Sequence, residues 1–400
     1  MRRFSFRRVL RLVWPFIVVS VVSLSVGCRR SQPEGPSDAE IRGALATYAR
    51  IAEASYDDCV ATARQLMTSV DALVAAPSAA SLQAARKAWL AARIPYAQTE
   101  VFRFYDGPID GVEMLVNTWP IDEAYVEAQA TGAAPGIIEN SAQYPELTRA
   151  LIVSLNAKEG ETSIATGYHV IEFLLWGRDL QREGPGTRPY TDFVAGSDAF
   201  AVRRGQYLKL ASELLLEHLQ QVAEAWRDRP DSYRHRFETN PGRESLALML
   251  KGMGALGGAE LAGERLTVAY ETKHQENEQS CFSDSTQQDL AGDALGIQNV
   301  CLGRYRKLDG TQVSGAGLCE LVGLHASELG ATLTAQIAAS VAALQAIPTP
   351  FDTAILGKDD APSRQAIAGA IAALQTQTQT LAQVAAHWHL AAPPTHKAAR

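Results

Sequence analysis

Apolar residues recur at helical spacing along most of the chain. In the first such segment, which starts at Asp38, the stripe consists of Ile41, Leu45, Tyr48, Ile51 and Tyr56. Long apolar–polar alternation, which is typical of strands, is missing. The same periodicity predicts helices at Ser81–Arg93, Ala199–Trp226, Glu244–Glu271, Gly323–Ala346 and Ala361–His389. We therefore predict an all-α fold.

Two less regular stretches interrupt the helical pattern. Thr118–Pro145 contains Trp-Pro and Gly-rich segments, which predict connecting structure over one end of a bundle. The loop Glu183–Pro189 is rich in Gly and Pro and is the best candidate for a domain boundary. A chain of 400 residues is long enough for about two domains. We predict two packed helical-bundle domains, residues 38–190 and 191–400.

The N-terminal segment has the composition of an export signal. Arginines at positions 2, 3, 7, 8 and 11 precede the mostly apolar stretch Leu12–Val26, which is shorter than a membrane-spanning helix needs to be. Leu24–Cys28 is similar to a bacterial lipobox, although its leucine lies four residues before the cysteine, where three is usual. We expect residues 1–28 to be a lipoprotein signal and Cys28 to be lipid-modified. A membrane anchor and simple secretion are the alternatives.

The residues after Cys28 indicate a tether and a cell-envelope location. Residues 29–37 carry two prolines and a glycine among polar residues, which predicts a linker. Arg29 occupies the place of the aspartate that commonly marks inner-membrane retention. We therefore expect a lipid anchor in the outer membrane, with the protein facing the periplasm.

Charge and cysteine content narrow the possible ligands. Lys and Arg number 37 and Asp and Glu 44, so the formal charge is −7 and nothing suggests binding to nucleic acid. Cations or neutral ligands are favoured. Besides Cys28 the chain has Cys59, Cys281, Cys301 and Cys319, which allow three disulfide pairings in an oxidising compartment. Of these, Cys301–Cys319 is the pairing to test first.

His169 and Glu172 are the leading candidates for metal ligands. Three positions separate them, so on a helix both side chains lie on one face and can offer a nitrogen and an oxygen to one cation. Gly167 lets a backbone or a ligand come close, and the apolar residues 173–176 exclude water. The same His-x-x-Glu spacing recurs at His235 and at His325, so it is weak evidence. A buried histidine bonded to a carboxylate in a packing core is the alternative.

The sequence offers no complete protease motif. Zinc peptidases of the zincin type need His-Glu-x-x-His, and the inverted type needs His-x-x-Glu-His. Neither motif occurs, because Phe173 follows Glu172. A metallopeptidase built on His169 would need further ligands and a general base from distant helices.

Two other groups of polar residues follow helical spacing. One helical face carries Trp89, Arg93, Tyr96, Glu100 and Arg103. It is either a surface of solvated ion pairs or a cleft wall, in which Glu100 adds a carboxylate and the arginines bind anions. A second group consists of Glu260, Glu264, Arg265, Glu276 and Glu278 and precedes the segment Ser280–Asp284. Its acidic residues predict only an exposed face.

Taken together, these segments resemble the imelysin family, whose members are also described as iron-regulated or insulin-cleaving envelope proteins. The resemblance spans roughly Ala44 to Leu390, and Gly167–Gly177 carries the family signature Gly-x-His-x-x-Glu. The other matching segments are Arg93–Phe104, Gly107–Asp110, Asn117–Glu123, Gly186–Pro189, Glu260–Arg265 and Ser280–Asp284. The sequence departs from the family pattern at Glu276–Gln279, where a more acidic, histidine-containing stretch is usual.

The resemblance implies two helical bundles with a site near their interface and a link to iron acquisition. It suggests that His169 and Glu172 bind a cation with Glu100 as a third ligand, a set that suits iron and allows zinc. Arg93, Tyr96, Arg103 and Gly167 would line the ligand site. The alternatives are a metal-dependent endopeptidase, an activity attributed to the family, and a non-catalytic scaffold that binds an envelope protein through Arg93 and Arg103.

Overall fold

A computed structural model describes residues 35–128, 133–181 and 184–394. The predicted signal peptide, the lipidation site Cys28 and most of the tether lie outside these residues. The helices are α1 (Asp38–Ala75), α2 (Ala79–Thr99), α3 (Glu113–Val116), α4 (Glu123–Val126), α5 (Arg149–Leu155), α6 (Tyr168–Trp176), α7 (Ala201–Ala225), α8 (Tyr233–Thr239), α9 (Gly242–Gly254), α10 (Val268–Thr272), α11 (Thr286–Leu302), α12 (Leu318–His325), α13 (Ser327–Gln345), α14 (Phe351–Ala354) and α15 (Pro362–His387). A π-helix, Ala255–Thr267, joins α9 to α10.

The first helix begins where the sequence predicts it. Ser37 is its N-cap: the Ser37 hydroxyl accepts from the backbone of Glu40, and the Glu40 carboxylate accepts from the backbone of Ser37. This reciprocal capping satisfies two backbone donors that a helix start otherwise leaves open. The apolar stripe of α1 is buried and includes Ile41, Leu45 and Tyr48.

The long helices pack in two bundles, which confirms the predicted all-α class. In one bundle α1 packs against α2 and α7, and in the other α13 packs against α11 and α15, which also contacts the π-helix. The contact between α2 and α11 joins them. The division at residue 190 stays a prediction, since α7 lies after it in sequence and packs against α1.

One short antiparallel pair of strands, not predicted from the sequence, lies between α11 and α12. It pairs Arg304–Arg306 with Gln312–Ser314. A disulfide joins Cys301 to Cys319, so it closes the segment that contains the two strands. This is the pairing that the sequence analysis put first. Cys59 and Cys281 are buried thiols that form no disulfide within the described residues.

No helix in the described ranges is both long enough and apolar enough to span a membrane.

Candidate functional site

Helix α6 is short and lies wholly in the interior. All nine of its residues are buried, because its sequence is apolar on every side except at His169 and Glu172. Gly167 precedes it with a φ of 93°, and a Cβ there would lie 2.6 Å from the carbonyl oxygen of Val116. The close approach predicted for Gly167 is therefore that of a backbone, and only glycine fits.

His169 and Glu172 face each other, as their spacing predicts. His169 Nδ1 lies 2.8 Å from Glu172 Oε2, and the two residues are 1% and 0% exposed. Ser283 donates twice to the other oxygen, Oε1: its backbone N–H at 2.9 Å and its hydroxyl at 2.6 Å. The Ser285 hydroxyl lies 2.9 Å from that of Ser283. Both carboxylate oxygens of Glu172 are thus engaged.

Burial shifts the protonation of both groups towards their neutral forms. It lowers the pKa of His169 well below its usual value, and the positive charges of Arg93 and Arg265 lower it further. Burial raises the pKa of Glu172 to about 8, although the hydrogen bonds from Ser283 oppose the shift. The imidazole is therefore neutral at pH 7, and its Nε2 atom is buried without a hydrogen-bond partner among the described residues.

The polar face of α2 is buried against α11, so it is not a surface of solvated ion pairs. Arg93 is 1% exposed and forms a bidentate ion pair with Asp289, with its Nη2 2.9 Å from Oδ2. It also donates to Asn117. The ring of Tyr96 is fully buried, and its hydroxyl has no partner in the described structure. The predicted ligand role of Arg93 and Tyr96 stays untested.

Glu100 belongs to a second buried group of ion pairs, centred on Arg265. Its Oε2 atom accepts from Arg103 and from Arg265, each at 2.5 Å, and Arg265 also donates to Asp293 Oδ2 at 2.6 Å. Burial alone would raise the pKa of Glu100, but the guanidinium groups of Arg103 and Arg265 lower it to about 2. Glu100 Oε1 and Asp293 Oδ1 are buried with no partner in the described residues.

We call these buried charged and hydrogen-bonded residues the polar layer: Arg93, Glu100, His169, Glu172, Arg265, Ser283, Asp289 and Asp293. It lies where α2 and α6 of one bundle meet α11 and the π-helix of the other. The expectation of an exposed acidic face is wrong for Glu278, which is buried, whereas Glu276 is exposed. Arg265, from the same group, is also buried. Among the described residues, no three His, Cys, Asp or Glu side chains are arranged to hold a metal ion.

Two cavities lie outside the polar layer. One of about 280 Å³ adjoins the end of α6 and is lined by Phe173, Trp176 and Arg188. The other, of about 430 Å³, lies between α1 and the strand pair. Neither is lined by His169 or Glu172, and His169 is 1% exposed, so access to His169 requires the side chains around it to move.

Sequence reasoning gave no role to Ser283, Asp289 or Asp293. Ser283 lies 111 positions from Glu172, and Arg265 lies 165 positions from Glu100. Helical spacing reports only on neighbours within one helix. One signal was available, since Asp289 and Asp293 are four residues apart on a mostly apolar helix and thus share a face that must meet positive partners.

Comparison with known proteins gives a consistent result. The sequence model of the imelysin family matches residues 52–381. A protein named iron-regulated protein A from Synechococcus elongatus is 26% identical over 308 residues, which are 75% of this chain and 73% of that protein.

Two crystal structures show a similar fold. One, described as an iron-regulated protein A precursor from Parabacteroides distasonis, has a TM-score of 0.64 at 20% identity and covers 87% of this chain and 96% of its own. The other, an imelysin-like protein from Psychrobacter arcticum, has a TM-score of 0.61 at 14% identity and covers 90% of this chain and 98% of its own.

Proposed function

The chain belongs to the imelysin family, and from that premise we propose that it binds iron, or a small iron-bearing ligand, at His169 between its two bundles without turning over a substrate. Similar proteins carry the name iron-regulated protein A, which supports a role connected with iron. The proposal concerns binding because the sequence lacks the motifs of zinc peptidases.

The observation that carries the proposal is a set of buried atoms without partners. They are His169 Nε2, Glu100 Oε1 and Asp293 Oδ1. Buried polar atoms are nearly always satisfied in folded proteins, so such a set points to a bound group. Glu100 and Asp293 are both bonded to Arg265, whose positive charge also lowers the pKa of His169. An imidazole with carboxylate oxygens suits iron and tolerates zinc.

The described geometry favours an iron-bearing ligand over bare iron. No closed set of three protein ligands exists among the described residues, so an ion at His169 needs donor atoms from elsewhere. A small chelating ligand brings such atoms with it. The predicted ligand set of His169, Glu172 and Glu100 stays a prediction.

Calorimetric titration of the folded domain tests the proposal. Wild type, His169→Ala and the control His235→Ala are titrated with ferric iron, ferrous iron, zinc and ferric citrate. We expect His169→Ala to bind at least tenfold more weakly, because it removes the proposed ligand. His235 is exposed, so its replacement should leave binding unchanged. Equal binding by wild type and His169→Ala would overturn the proposal.

We further propose that the protein is an outer-membrane lipoprotein that faces the periplasm, anchored through Cys28. The lipobox-like segment Leu24–Cys28 and Arg29 after it support this. The test is incorporation of labelled palmitate in cells that express wild type or Cys28→Ser. Label in wild type alone, in the outer-membrane fraction, is the expected result, and an unlabelled wild type would contradict it.

A further inference from the structure

The two oxygens of Glu172 have different partners, and those partners come from different bundles. Oε1 accepts two hydrogen bonds from Ser283, which lies in the loop before α11. Oε2 faces Nδ1 of His169 on the same helix as Glu172. All three residues are buried, and Ser283 is the most exposed of them at 8%. The carboxylate is fixed at both ends.

From this arrangement we infer that Glu172 is a positioning residue for His169 rather than a metal ligand, and that Ser283 anchors it. The metal of the iron-bearing ligand then meets Nε2, the ring nitrogen without a partner. This inference deepens the proposed function and rests on it. It replaces the expectation, drawn from spacing, that both side chains bind one cation.

The chemistry of metal-binding histidines supports this division of roles. Such a histidine usually donates its second ring N–H to a carboxylate, which fixes the orientation of the ring and which nitrogen keeps a lone pair. In its ionised form the Glu172 carboxylate can only accept, so it takes Nδ1–H and the lone pair resides on Nε2. Because Ser283 occupies Oε1, only Oε2 is available to the ring.

The substitution Glu172→Gln reverses this polarity with almost no change in shape. Both Ser283 donors point at one oxygen, so the glutamine carbonyl takes that place and its NH₂ group faces Nδ1. Nδ1 must then accept a hydrogen bond, and the ring carries its proton on Nε2. A protonated Nε2 cannot bind a metal. Ser283→Ala has a smaller effect, since the backbone N–H of residue 283 still holds Oε1.

Nitrogen-15 NMR of the histidine rings in metal-free protein tests the inference without metal. Spectra of all variants are recorded at pH 9. We expect a proton on Nδ1 of His169 in wild type and on Nε2 in Glu172→Gln. Ser340→Ala is the control, because Ser340 is buried on α13 and bonds only within its own helix. It should match wild type.

Zinc, a diamagnetic probe, supplies the second measurement. In wild type its addition should shift the Nε2 signal, and a zinc-soaked crystal should place the ion about 2.0–2.1 Å from Nε2. We expect Ser283→Ala to weaken zinc binding about 10- to 100-fold and Glu172→Gln at least as much, with Ser340→Ala unchanged.

Two results would overturn the inference. One is a wild-type ring protonated on Nε2 at pH 9, and the other is zinc within about 2.2 Å of a Glu172 oxygen, the distance of a direct bond. If wild type shows the expected ring proton but binds neither zinc nor any form of iron, the proposed function fails while the positioning of His169 by Glu172 stands.

Discussion

Helices α6 and α8 carry the same pattern, His-x-x-Glu, in opposite surroundings. On α6, His169 and Glu172 are buried and lie 2.8 Å apart. On α8, His235 is exposed, and Glu238 pairs with Arg234 one turn away at 2.9 Å. A spacing of three puts two side chains on one face of a helix, but the neighbours of that face decide what they bind.

The third match, His325, supports the same conclusion. It ends α12, whereas Glu328 belongs to α13, so the two residues do not share a helix. His325 instead lies 3.2 Å from Glu40 at the start of α1. Of the three pairs, the one on α6 is buried, so both of its side chains are shielded from water.

The largest expected difference in stability is between replacing an arginine of the polar layer and replacing one on α8. Arg265→Met leaves Glu100 and Asp293 buried without their shared partner, so we expect a loss of about 3–5 kcal/mol in the free energy of unfolding. Arg234→Met removes ion pairs whose carboxylates water can reach, and about 1 kcal/mol is expected. Urea denaturation measures both. Similar losses would mean that the ion pairs of the polar layer contribute no more to the free energy of unfolding than those near α8.

Removal of the glutamates should give a smaller difference of the same sign. Glu172→Ala deprives Ser283 of an acceptor for two donors in the interior, and we expect a cost of about 3 kcal/mol. Glu238→Ala should cost less than about 1 kcal/mol. The midpoint of urea unfolding is the measurement, and a Glu238→Ala variant as unstable as Glu172→Ala would contradict the comparison.

The pH dependence of stability should also separate the two regions. Folding raises the pKa of Glu172 from 4.5 to about 8, so its contribution is fully present below pH 4.5 and is lost as the pH rises through about 8. The advantage of wild type over Glu172→Gln should therefore shrink over this range, by up to about 1.4 kcal/mol per pH unit. Unfolding at several pH values measures it, with Glu238→Gln as the control. A constant difference would exclude this titration.

The smallest effect is expected at His235. Its side chain is exposed, so His235→Ala should change the free energy of unfolding by no more than about 0.5 kcal/mol. Thermal unfolding is sufficient to check this. A loss above 1 kcal/mol would show that the motif on α8 has a structural role that its exposure hides.

The sequence predicts the long helices well because their apolar stripes face one core. The predicted segment Ala199–Trp226 corresponds to α7, and Ala361–His389 to α15. Two errors have a physical cause. Gly323–Ala346 crosses a break at Ala326, where α12 ends and α13 begins. The predicted helix Glu244–Glu271 includes the π-helix. The pattern of apolar residues does not distinguish the wider turn of a π-helix from that of an α-helix.

The candidate site is predictable only in its local part. The proximity of His169 and Glu172 follows from their spacing on a helix, and Gly167 was singled out correctly as a point of close approach. The partners that decide their roles lie far away in sequence. Ser283 and Asp293 reach the polar layer only because two bundles meet there, and no pattern within one segment encodes that meeting.

The π-helix makes the polar layer sensitive to chain length. Arg265 Nε lies 3.0 Å from Glu260 Oε1, five residues earlier, and in a regular α-helix these positions would point about 140° apart. Insertion of one residue between them would put the two side chains six positions apart, which is about 120° around an α-helix and off the five-residue repeat of a π-helix. Point substitutions leave this spacing unchanged, so the stretch should accept changed side chains more readily than an inserted residue.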